Sequence, residues 1–135
     1  MAKQSLVCLD VGEKRIGVAI ADTSVRIALP FDTILVDGGE LTAIATIVTA
    51  EQADTIVVGY PRNQSGESTA QSEYAVRFAD TLHDITDKII FQDESLTSVI
   101  AEQRLKESGR PYDKKEIDAY AAAIILQDYL EANYG

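Results

Sequence analysis

The chain has 135 residues, 46% of them hydrophobic and 25% charged, which is the make-up of one globular domain and excludes wholesale disorder or low-complexity repeats. Twelve basic residues against 22 acidic ones leave a formal charge of −10, and that argues against a surface that coats nucleic acid without specificity. One cysteine, Cys8, and one histidine, His83, exclude an intrachain disulfide and a structural zinc site.

Ser5 to Val11 is apolar except at Asp10, too short for a helix, and reads as a strand buried on both faces. Gly12-Glu13-Lys14 turns the chain. Arg15 to Asp22 alternates, with Ile16, Val18 and Ile20 on one face and Gly17, Ala19 and Ala21 on the other, which predicts a second strand in a hairpin. Arg26 to Val36 predicts a third strand, interrupted near Pro30 and therefore an edge or a bulge. After Gly38-Gly39 the spacing of Leu41, Ile44, Ile47 and Val48 is helical. Asp54 to Gly59 is a fourth short strand. Ser68, with Gln71 three residues on, opens a second helix through a capping box, with Tyr74, Phe78 and Leu82 as its buried stripe. Lys88 to Gln92 is a fifth strand and Thr97 to Glu107 a third helix. Gly109 to Lys115 is a loop. Asp113 and Glu116 suit a cap for a last helix from about Lys114 to Glu131.

The order βββαβαβαα predicts one α/β domain over residues 1–135. Its sheet is five-stranded and mixed, an antiparallel meander continued by parallel βα units, with helices on both faces. No basic-then-apolar leader precedes it and no apolar run approaches a membrane span. The expectation is a soluble protein of a reducing cytoplasm with no membrane contact. Cys8 is expected in the core and His83 on the surface.

Carboxylates interrupt this pattern at three places. Asp10 lies in an apolar strand, where it either forms a turn or needs a partner or metal. Asp93 and Glu94 follow the fifth strand; an acidic pair there caps the next helix, or sits at the sheet edge where α/β ligand sites collect. Asp118 shares a helix face with Ala121, Ala122 and Ile125, which solvation does not explain. Like charges near 4 Å repel by about 4 kcal/mol at an effective dielectric of 20. A cluster of them suits hard divalent cations, Mg²⁺ or Mn²⁺. Two such ions are what phosphodiester hydrolysis uses.

Four blocks in order, Leu9 to Asp22 (LDVGEKRIGVAIAD), Val57 to Glu67 (VVGYPRNQSGE), Asp93 to Thr97 (DESLT) and Ile117 to Leu130 (IDAYAAAIILQDYL), resemble the YqgF/RuvX family. That family comprises pre-16S rRNA nucleases related to the junction resolvase RuvC, with an RNase H-like fold. The resemblance implies that Asp10, Glu94 and Asp118 are the catalytic metal ligands, holding two Mg²⁺ or Mn²⁺ ions. It selects Glu94 over Asp93. Two departures stand out: Ser95 replaces the family's arginine, and in the loop Asn63-Gln64-Ser65-Gly66 only Asn63 and Gly66 keep the family pattern. Many RNase H-like enzymes also place an acid at the end of the fourth strand; Thr55 to Gly66 has none, leaving Asn63 or Gln64 as a neutral ligand or orienter. The implied partners are structured RNA, with branched DNA as an alternative, and a ribosomal precursor particle.

Residues 104–115 hold five of the twelve basic residues, Arg104, Lys106, Arg110, Lys114 and Lys115, against Glu107 and Asp113. Arg110, Lys114 and Lys115 are expected to contact phosphates beside Asp118, with Lys14, Arg15, Arg62 and Asn63 on the loops of the same edge. A helix end with dipole-matched cations is the plainer alternative. Three rival functions remain: a two-domain ATPase of the actin type, for which the chain is too short; a junction resolvase; and a noncatalytic nucleic-acid or ribosome-binding module, against which Asp118 on its apolar face argues.

Overall fold

The computed structural model describes residues 4–61, 69–94 and 97–134. Its elements are β1 (Ser5–Val11), β2 (Arg15–Asp22), β3 (Leu29–Leu35), α1 (Glu40–Ala50), β4 (Thr55–Pro61), α2 (Ala70–Asp80), a 3₁₀ turn (Thr81–Asp84), β5 (Lys88–Glu94), α3 (Thr97–Glu107) and α4 (Lys114–Tyr134). The strands form one sheet in the order β3-β2-β1-β4-β5. β1, β2 and β3 pair antiparallel, and β4 and β5 run parallel to β1. β3 is one of the two edge strands, in keeping with Pro30. Ala19 pairs with Pro30 and Val18 with Asp32, so Phe31 is the extra residue of a bulge.

Strand alternation divides the core in two. Val7, Leu9, Ile16, Val18, Ile56 and Val58 pack against Ile44, Ile47 and Val48 of α1 and Ala75 and Ala79 of α2. Leu6, Cys8, Ala19 and Val57 pack against Ala122, Ile125, Leu126 and Leu130 of α4. β1 is thus covered on both faces, which accounts for its apolar run. Cys8 is fully buried, and burial, then the charges of Asp10 and Glu94, hold its thiol pKa high. His83 is exposed on the 3₁₀ turn. Among the described residues no helix is long and apolar enough to cross a membrane.

The helical stripes depart from their sequence reading. Leu41 is exposed and only Ile44, Ile47 and Val48 of α1 are buried. In α2 the buried positions are Ser72, Ala75 and Ala79. Tyr74 and Phe78 lie at the margin of the core, and buried Leu82 belongs to the 3₁₀ turn. Small residues win these places because the helix lies close to the sheet. The cap of α2 also differs. Thr69 is the N-cap, its side chain accepts from the Ser72 N–H, and the Thr69 N–H donates to Ser72 Oγ at 2.6 Å. Ser68 lies outside the described residues, and Gln71 is left for another role.

α4 runs three residues past the predicted end. Asp113 caps its start by accepting from the Glu116 N–H at 3.0 Å. Polar clips hold its flank and far end: Ala28 N–H donates to Gln127 Oε1, and Arg26 Nη1 donates to the Tyr134 carbonyl. These tie it to the segment leading into β3.

Candidate active site

β1, β4 and β5 are parallel, so their C-terminal ends meet at one edge of the sheet. Asp10 is next to last in β1. It pairs with Gly17 of β2, and both lie on the α4 face with Leu6, Cys8, Ala19 and Ala21. Gly17 allows α4 to come down here: a Cβ at this position would stand 1.9 Å from the Asp118 carbonyl oxygen. Any side chain at residue 17 would lift Asp118 away from Asp10.

Glu94 reaches the same place from β5. The strand extends through Asp93 and Glu94, so this acidic pair ends a strand instead of opening a helix. Pairing of Val57 with Ile90 and Pro61 with Glu94 puts Glu94 on the face of Cys8 and Asp10. Asp93 points to the opposite face by the alternation of the strand. Gly59 leaves room for Glu94, since a Cβ there would stand 2.3 Å from Glu94 Oε2.

The outcome is a cleft of about 300 Å³ lined by Asp10, Glu94 and Asp118 together with Arg15, Gln71 and Thr97. Thr97 Oγ1 donates to Glu94 Oε1 at 2.6 Å. Arg15 Nε donates to Asp118 Oδ2 at 2.5 Å. Burial pushes the Asp10 carboxyl up to about 8, and the charges of Glu94 and Asp118 add to this. Burial also raises Glu94, opposed by its hydrogen bonds from Thr97 and Asp10. Asp10 and Glu94 therefore share a proton in the ion-free protein, with Asp10 as its donor. Among the described residues no three His, Cys, Asp or Glu side chains stand, as placed, close enough together to hold one metal ion. The Arg15 guanidinium takes up one carboxylate and a proton couples the other two.

Of the other predicted contacts, Arg15 lies in this cleft and Lys14 is exposed on the adjoining turn. Arg62 and Asn63 lie outside the described residues, as does Ser95. Arg110 and Lys115 line a different cleft, between β3 and the start of α4, with Phe31, Thr33, Glu116 and Tyr120. There Arg110 Nη1 is 2.9 Å from Glu116 Oε2, so its charge is already matched. Lys114 is exposed one turn before Asp118. Tyr112 donates to Glu102 of α3 at 3.4 Å.

Gln71, Thr97 and Ser98 are polar residues of the cleft that the sequence pattern does not mark as functional. Threonine at the first position of α3 reads as a helix start. Its Oγ1 is committed to Glu94 only because the end of β5 and the start of α3 are three residues apart.

The RuvX family model, described as a Holliday junction resolvase, matches residues 4–132. The chain belongs to the RuvX family. Its relatives within that family include a Chloroflexus aurantiacus protein, 48% identical over 98% of this chain and 90% of its own length. A Staphylococcus carnosus relative is 34% identical over 98% of this chain and 99% of its own. Both carry the name "Putative pre-16S rRNA nuclease". Among solved structures, RuvC of Thermus thermophilus in complex with a Holliday junction substrate superposes with a TM-score of 0.52. It is 15% identical, over 96% of this chain and 94% of that one. At that identity the likeness is one of fold, and it bears out the RNase H-like architecture expected of a RuvX sequence.

Proposed function

We propose that the chain is a Mg²⁺- or Mn²⁺-dependent nuclease that hydrolyses phosphodiester bonds in structured RNA, the precursor of 16S rRNA being its substrate. One observation carries this: Asp10, Glu94 and Asp118, from three separate elements, line one cleft at the C-terminal edge of the parallel strands. The names of its relatives support the substrate. The ribosomal precursor particle is then its partner and the cytoplasm its place of work.

The donor set fits hard cations. It offers carboxylate oxygens only, and burial, with the charges of Glu94 and Asp118 adding to it, holds Asp10 protonated well above the usual carboxylate range. Asp10, Glu94 and Asp118 would hold two such ions. When bound, they would supply an activated attacking water and neutralise charge on the leaving oxygen. The protein's own part would begin with a proton: with the site loaded, Asp10 would give the one it shares with Glu94 to solvent water. Thr97 keeps Glu94 turned inward through its hydrogen bond. Arg15 releases Asp118 and remains at the mouth of the cleft, where its guanidinium can take a substrate phosphate.

The test is cleavage of a structured RNA and a four-way DNA junction by the full chain, with and without Mn²⁺. Cleavage of RNA that needs Mn²⁺ and is lost in Asp118→Asn is the expected result. Undiminished cleavage by that variant would overturn the assignment. The family model's description as a junction resolvase favours branched DNA as the second reading. Cleavage of the DNA junction in preference to RNA would establish it.

A further inference from the structure

A second groove continues from the acidic cleft. Val11, Gly12 and Gln71 border both, and the groove then runs along α2 over Tyr74 and Arg77, with a volume of about 390 Å³. Gln71, Tyr74 and Arg77 recur at three-residue spacing and so share one helix face. Tyr74 lies at the margin of the core with one part of its ring packed and the rest in the groove. The Arg77 guanidinium stands over that ring, 6.0 Å from its centre, within the range of a cation–π contact. Its side chain is otherwise exposed.

We propose that this groove is a nucleotide subsite for the substrate strand beside the scissile bond, an inference that rests on the nuclease reading above. Three features favour a nucleotide. A tyrosine ring and an arginine guanidinium each offer a plane on which an unpaired base stacks. The outward N–H groups of Arg77 can take a phosphate in a two-pronged contact. The groove opens directly into the carboxylate cleft, so a strand whose phosphate sits at Asp10 and Asp118 has its neighbouring nucleotide over α2. Gln71, at the junction, can donate to or accept from a sugar or base edge.

The test uses the full chain with Mn²⁺ and a hairpin RNA carrying a single-stranded flank. The same RNA is also made with one abasic nucleotide moved along that flank. Wild type should show one position where loss of the base raises KM roughly tenfold. Tyr74→Leu, which keeps the apolar contact with the core, should show that higher KM on intact RNA and be indifferent to the abasic position. Tyr74→Phe should behave as wild type. Arg77→Gln, exposed and tolerant of change, should weaken binding and flatten the dependence of log affinity on log salt by about 0.7. A wild-type KM and salt slope in both Tyr74→Leu and Arg77→Gln would overturn the subsite and leave the nuclease reading intact. A wild-type chain that neither binds nor cleaves RNA would overturn both.

Discussion

Replacing Asp10 with asparagine should stabilise the ion-free protein above neutral pH and change little below about pH 4. The Asp10 carboxyl is raised from its ordinary 3.8 to about 8. Between those values the native state keeps a proton that the unfolded chain releases, so wild-type stability is full below pH 4 and falls as pH rises towards 8. At about 1.4 kcal/mol per pKa unit the whole interval is worth about 5–6 kcal/mol. About 3 kcal/mol of that falls between pH 5 and pH 7.5, shared between Asp10 and its partner Glu94. Asparagine cannot ionise, and its amide can donate to Glu94 as the protonated carboxyl does. Urea denaturation of both proteins in the presence of a chelator, at a series of pH values, measures the difference. Their stabilities should converge at acid pH and separate as pH rises, with the variant the more stable. Mn²⁺ should restore most of the loss in wild type and little in the variant. Parallel curves for the two proteins, or a variant less stable at pH 8, would refute the argument from burial and like charge.

Gly17→Ala should cost about 3 kcal/mol, the upper end of overpacking, because the added methyl meets the Asp118 backbone, which cannot rotate aside. Denaturant unfolding measures the loss, and cleavage should fall with it as Asp118 is displaced. Arg15→Gln frees Asp118, so Mn²⁺ should bind several-fold tighter by titration calorimetry. Its stability loss should stay within about 1 kcal/mol, since the pair is partly solvated. Weaker Mn²⁺ binding would mean that Arg15 does not compete for that carboxylate. Replacing Arg110, Lys114 and Lys115 together with serine should flatten the salt dependence of RNA binding by about 1.4 and not about 2.1, because Arg110 is matched by Glu116. An unchanged slope would assign that region to the helix-dipole role alone.

The element order, the meander and the edge position of β3 were legible residue by residue. Each rests on local chemistry: a run with no polar face must be covered on both sides, and a proline without an N–H suits an edge. The bounds of α3 followed from the same kind of signal. Asp118 also stood out locally, as a charge on a face otherwise built of alanine and isoleucine. Which acid of the pair at 93 and 94 joins Asp10 was not legible from pattern alone; family resemblance named Glu94. The structure gives the physical reason. Alternation says only that the two diverge, and the register of β5 on β4 and of β4 on β1 decides which one shares a face with Asp10. The two glycines that admit the acids act through contacts 101 and 35 residues away in sequence, Gly17 at Asp118 and Gly59 at Glu94. The same holds for Tyr74, which has helical spacing suited to a core but lies at its edge. Periodicity tells which side chains share a face. How closely that face approaches the sheet, and so whether alanine or tyrosine fills the gap, depends on the packing of the whole chain.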